Sequence, residues 1–188
     1  MFGNNSDADL VSVAAVTYGE VDSAYLNIST ASSGTTTQRL RVDADGLKFG
    51  TDTAAASALD DYEEGTFTPS WQASTTTVTV NHASYTKVGR MVTVNFYISN
   101  ISPATSSDTQ YIQGLPFTIA SGHYPAGSIG YSVIADTANL GVLGGAGTTN
   151  IYFHEIDGTS ISALTRNDWN SLLSSGLALI ISLTYITA

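Results

Sequence analysis

Residues 84–99 read SYTKVGRMVTVNFYIS. Val92, Val94, Phe96 and Ile98 fall on one side of an extended chain, and Thr93, Asn95, Tyr97 and Ser99 on the other. A period of two is the mark of a strand with one buried face. Val88-Gly89 supplies the turn that leads into it. The same alternation recurs near the C-terminus, where Leu179, Ile181, Leu183 and Tyr185 interleave with Ile180, Ser182 and Thr184. Val78 and Val80 share a face. Gln110–Gln113, Ser128–Ile134, Ile151–Ile156 and Ala178–Thr187 are further predicted strands. Asp168–Leu173 predicts a single helical turn, with Asn167 as its cap and Trp169, Leu172 and Leu173 at i, i+3, i+4. Gly141–Gly147 reads by composition as a flexible loop or hairpin tip.

Upstream, residues 58–71 read ALDDYEEGTFTPSW. A run of carboxylates (Asp60, Asp61, Glu63, Glu64) stops at Gly65. Phe67, Pro69 and Trp71 then alternate with Thr66, Thr68 and Ser70. A polar hinge thus passes into the first strand of a domain. Before the hinge, short β-like pieces (Leu10–Val16, Ala24–Thr30, Gln38–Val42, Leu47–Phe49) are separated by the turns Ala31-Ser-Ser-Gly34 and Asp43-Ala-Asp-Gly46. Aromatic residues are thin here, and a segment of this size buries too little apolar surface to stand alone. Residues 1–57 are therefore expected to fold as part of an oligomer, with 58–65 as an acidic hinge and 66–188 as the main domain.

The whole chain has 188 residues, a net charge of −10 and only six basic residues. Binding to a phosphate backbone depends on Lys/Arg clusters that displace counterions, so nucleic acid and anionic membranes are poor partners. No apolar run reaches the roughly 20 residues of a membrane-spanning helix. Without cysteine there is no disulfide, thiolate nucleophile or thiolate metal site. Thr, Ser, Gly, Val and Ile dominate while Lys and Glu are scarce, which favours an all-β chain. Many short strands with turns between them predict a sandwich or jelly roll.

Two stretches together resemble a known family. Residues 3–50 resemble the repeating element of tailed-bacteriophage tail fibres, with Ala14/Ala15, Leu26, Ile28, Thr30, Gly34, Arg39, Leu40, Arg41, Val42, Asp43, Gly46 and Gly50 in matching positions. ALDDYEEGTFTPSW, then SYTKVGRMVTVNFYIS, then GLPFT at 114–118, are similar to a terminal β domain of phage tail and head fibres. The resemblance implies a homotrimeric virion fibre: a short intertwined β stem followed by a jelly-roll-like antiparallel β-sandwich head. It implies attachment to other virion proteins through the N-terminal segment, adhesion to a host-surface glycan or other receptor, and no catalysis. The chain starts at Met1 in mid-pattern and lacks the autocleaving chaperone domain of many relatives. The resemblance therefore implies either a short stand-alone fibre, on capsid or tail, or a C-terminal fragment. A capsid-decorating or tail-stabilising fibre without a receptor, and a glycan depolymerase, are the alternatives.

No cofactor or metal is expected. The Asp60–Glu64 run lacks the interleaved spacing and turn glycine of a calcium loop. Asp43-Ala-Asp-Gly46 is more simply a turn with glycine at positive φ. His82, His123 and His154 have no metal-ligand spacing. There is no GxSxG elbow and no phosphate-cradling GxGxxG between strand and helix. Glu155 and Asp157 share a strand parity whose spacing would suit a glycosidase pair, but two acids before Gly158 fit a solvated turn. Sugar binding calls for exposed aromatics beside amides and carboxylates. The candidates are Tyr111, His123, Tyr124, Tyr152, Asn167, Asp168 and Trp169, all but Tyr152 in or beside predicted loops.

Overall fold

A computed structural model describes residues 2–4, 7–17, 23–59, 61–72, 77–101, 110–132, 140–156, 161–163 and 177–188. The chain divides into two compact units, Met1–Tyr62 and Glu63–Ala188. Its described regular structure is β, with one 3-10 turn at Ala55–Ser57. The predicted helical turn at Asp168–Leu173 lies outside the described residues.

The first unit is a five-stranded antiparallel meander: β1 (Phe2–Asn4), β2 (Asp7–Thr17), β3 (Ala24–Ser32), β4 (Thr35–Asp43) and β5 (Gly46–Phe49), paired in chain order. The two predicted turns join β3 to β4 and β4 to β5, and Gly34 and Gly46 take the positive φ the turns need. Leu59 returns to exchange both backbone hydrogen bonds with Leu47.

The register sorts this sheet's residues into two unlike faces. Ala15, Leu26, Val42 and Leu47 lie in one cross-strand row, and Val13, Ile28, Leu40 and Phe49 in the next. That apolar face is open: Val13 is 53% exposed and Phe49 60%, with Leu26, Val42 and Leu59 exposed as well. The opposite face carries Tyr25, Asn27, Arg41, Asp43 and Lys48, and Lys48 is fully buried. The usual order of burial is inverted.

The second unit is one sheet of ten strands. Its strands are β6 (Tyr62–Thr66), β7 (Ser70–Trp71), β8 (Thr79–Val88), β9 (Met91–Ile101), β10 (Tyr111–Gln113), β11 (Ala126–Ser132), β12 (Leu140–Gly144), β13 (Ile151–Ile156), β14 (Ile161–Ala163) and β15 (Leu177–Ile186). They follow the order β6-β8-β9-β15-β11-β12-β13-β10-β7, with β14 also on β13. The first and last strands of this path are joined by only Phe67, Thr68 and Pro69. Three linking residues span no more than about 15 Å, so the sheet has to curl until its edges nearly meet, as a half-barrel. Opposing parts of it then face each other across the core, as the layers of a sandwich do.

The core is the concave face. Val92, Val94, Phe96 and Ile98 of β9 are buried, as are Leu179, Ile181, Leu183 and Tyr185 of β15, Ile151 and Phe153 of β13, and Trp71 of β7. Both alternations read from the sequence are therefore realised. Trp71 stacks on Phe153 at 5.8 Å and donates its indole N–H to Gln110 Oε1 at 2.8 Å. Buried Tyr185 donates to the Phe117 carbonyl at 3.0 Å; burial pushes its pKa up to about 12.

Two readings change. Tyr62–Gly65, expected within a hinge, form edge strand β6 beside β8. Gly65 is needed there because a Cβ would stand 2.9 Å from the Tyr85 ring. Glu63 pairs with nearly buried Lys87 at 3.1 Å, which gives one acid of the run a packing role. The glycines at 141–147 are also not simply a loop: Leu140–Gly144 is strand β12, leading through a turn at Ala146–Gly147 into β13. A Cβ on Gly144 would meet Ile119 and Pro125 at 2.7 Å, and one on Gly145 the Tyr152 ring at 2.6 Å. These glycines make room for packed neighbours, which composition alone does not reveal.

Candidate functional site

Strand parity brings two of the expected binding residues together. Tyr111 on β10 and Tyr152 on β13 are directly paired, and their outward rings lie 5.1 Å apart at 47°. Leu143 continues the row across β12 and Ala126 across β11. On the other side, the Gln72 N–H donates to the Tyr111 carbonyl at 3.0 Å. Gln72 Oε1 is buried without a hydrogen-bond partner, so it is not turned outward as a ligand contact. Asn150 Nδ2 donates to the Tyr152 hydroxyl at 3.4 Å. The pair is half-buried in its own sheet, and packing accounts for much of its surroundings.

His123 and Tyr124 follow a tight turn closed by the His123 N–H on the Ala120 carbonyl at 3.1 Å. Gly122 is at positive φ there, and Tyr124 is exposed. Asn167, Asp168 and Trp169 lie outside the described residues. Glu155 stands on β13 opposite Leu140 and Ser162, while Asp157 is outside the described residues. His82 is on β8 and His154 on β13, each paired across its strand with non-ligating residues. Among the described residues, no group of three or more His, Asp or Glu side chains could hold a metal ion.

Among the described residues, a dense polar cluster lies elsewhere, on the closed face of the first unit. Lys48 Nζ donates to Asp45 Oδ2 at 2.5 Å, to Asp43 Oδ2 at 3.0 Å and to the Thr53 carbonyl at 3.2 Å. Arg41 Nε meets the same Asp43 oxygen at 2.6 Å, and its guanidinium lies 3.9 Å over the Tyr25 ring. A surface hollow of about 220 Å³ opens beside Tyr25, Arg41 and Asp43. The two carboxylates of the Asp43–Gly46 turn are thus engaged by cations of their own chain. The Lys48 hydrogen bond, with help from Arg41, holds the Asp43 carboxyl below its ordinary range against the opposing effect of burial. Asp45's hydrogen bond, then Asp43's, raise Lys48 above its ordinary value.

These shifts have a definite sign. Asp43, lowered in the fold, stabilises it above the usual carboxylate range near 4; this is lost as pH falls through the lowered value. Lys48, raised in the fold, stabilises it below about 10.4; this is lost as pH rises through the raised value. The first unit is expected to lose stability at both extremes. Asp43→Asn should flatten the acid limb of unfolding followed by circular dichroism. An acid limb identical in Asp43→Asn and wild type would contradict this role.

Sequence reasoning missed a second outward row on the convex face of the curled sheet: His82, Tyr97, Ile180 and Tyr131 on β8, β9, β15 and β11. Tyr97 and Ile180 fall on the outward parity of their strands, but nothing in the sequence says which strands lie side by side. No family model, characterised protein or solved structure matches this chain.

Proposed function

We propose that this chain is a non-enzymatic, homotrimeric fibre protein of a tailed bacteriophage that attaches the virion to the host surface. The first unit serves as the stem, and the curled sheet as a jelly-roll-like head. One observation carries the reading. The first unit leaves Val13, Leu26, Val42, Phe49 and Leu59 open on one sheet face while it buries Lys48 within its own ion pairs. Contiguous exposed apolar surface marks an interaction site, and neighbouring copies of the same segment offer a matching face. The resemblance of residues 3–50 and 58–118 to phage fibres supplies the biological setting. Attachment follows from repetition: three heads on one stem present the same weak site three times, and avidity makes adhesion useful.

Sedimentation of the purified chain tests the assembly, with a trimer expected at micromolar concentration. A folded monomer under those conditions would remove the basis of the reading. Fluorescently labelled trimer should then decorate host cells, and a failure to bind any host surface would favour a purely structural fibre.

A further inference from the structure

We propose that the convex face of β8, β9, β15 and β11 is a binding platform for neutral oligosaccharides, with Tyr97 and Tyr131 as its stacking residues. The proposal rests on the attachment reading and places its receptor site on the sheet, away from the loop candidates.

The register builds the platform row by row. His82 pairs with Tyr97, Tyr97 with Ile180, and Ile180 with Tyr131. With strands about 4.8 Å apart, this row runs roughly 14 Å across four strands. Tyr131 is 50% exposed, Ile180 41%, His82 is exposed and Tyr97 is half-buried between its neighbours. The bulge that puts Tyr131 opposite Ile180 is what turns its side chain outward; without it, the parity of β11 would send Tyr131 inward. His82 keeps the outward parity of Ser84 and Thr86, and the bulge just before it instead returns Val80 to a partner on the core face, Ile98.

Polar rows flank the aromatic row on both sides, each about 7 Å away along the strands. On one side lie Ser84, Asn95, Ser182 and Ser128 in register. On the other, Asn81 Nδ2 donates to Ser99 Oγ at 2.8 Å and Asn100 Nδ2 to Thr79 Oγ1 at 3.3 Å. Asn100 sits at φ 52°, a left-handed conformation uncommon outside glycine; strained backbone of this kind gathers at functional positions.

Charge selects the ligand. None of the described outward positions on these four strands is Asp, Glu, Lys or Arg, although the chain carries 22 such residues. A face without lysine or arginine holds no permanent cation to pair with phosphate, sulfate or sialate. The preponderance of hydroxyls and amides likewise differs from the apolar centre of an interface between copies. Sugars match it: their C–H faces pack on aromatic rings, and their hydroxyls exchange hydrogen bonds with amides and serines.

The test uses the intact chain on a printed array of short neutral oligosaccharides, with sialylated and sulfated ones alongside. Binding to neutral members is expected. Tyr97→Ala and Tyr131→Ala should each weaken it about tenfold or more, as truncating a stacking anchor does. Tyr131→Phe, which keeps the ring, should stay close to wild type, and so should Met91→Ala, three rows away on the same face. Near-UV circular dichroism confirms the core in each variant. Unchanged binding in both alanine variants, binding confined to anionic members, or no neutral binding would overturn the proposal while leaving a trimeric fibre intact. Dissociation of the trimer in these variants would assign the face to contact between copies and would equally overturn it.

Discussion

Leu26→Asp is expected to convert the proposed trimer into a monomer at about 10 µM, with the β signal of the second unit retained in circular dichroism. Leu26 lies on β3, in the middle of the five-stranded sheet, between Ala15 and Val42. Its side chain points to the open apolar face and is already 41% exposed in the single chain, so the substitution costs the isolated unit little. In an assembly closed by that face, the same change removes buried apolar surface from every copy and brings three carboxylates together without partners. Uncompensated burial of even one charge costs several kcal/mol, more than a weak association withstands. Phe49→Glu, at the sheet edge, should act in the same direction. Thr36→Asp, exposed beside the β3–β4 turn, should leave the assembly unchanged. A Leu26→Asp protein that remains trimeric would show that this face does not hold the copies together.

The second large effect is in the second unit. Phe96→Ala is expected to destabilise the curled sheet by about 3–5 kcal/mol, the usual cost of emptying an aromatic site in a packed core. Phe96 is essentially inaccessible. It sits between Ala83 and Ile181 in the ladder and meets the Phe67 ring edge-on at 5.7 Å. Phe67 belongs to the three-residue link between the sheet's two edges, so the lost contact also loosens the closure. Asn95→Ala, one residue away on the opposite face, should change stability by less than about 0.5 kcal/mol. Denaturant unfolding of the two variants measures the register directly, because a one-residue slip would exchange their effects. A Phe96→Ala loss below about 1 kcal/mol would rule out the central position assigned to β9.

Much of this architecture was legible in residues 84–99 and 177–187. Alternation reports which side chains turn inward, because a strand's period of two is a property of the local backbone. The same logic located β13 and the two turns of the first unit. It failed where packing overrules composition. Gly141, Gly144 and Gly145 read as a flexible loop, yet two of them are glycine because Ile119, Pro125 and Tyr152 occupy the space of a Cβ. Tyr62–Gly65 read as hinge because four acids surround it, yet the neighbouring β8 supplies hydrogen-bond partners and Lys87 supplies a counter-charge. Neither neighbour is close in sequence.

By itself the sequence determined that the chain is all-β, that its central strands have one apolar face each, and that it carries a net charge of −10. Those conclusions rest on local periodicity and on total charge, which need no contact map. Only the tertiary structure decided which strands lie together. The curl of the second unit's sheet, the open apolar face of the first unit, the enclosure of Lys48 and the alignment of His82, Tyr97, Ile180 and Tyr131 all depend on pairings between distant segments. A bulge inside one of those pairings sets which way Tyr131 points, and a bulge is defined only by the strand opposite it.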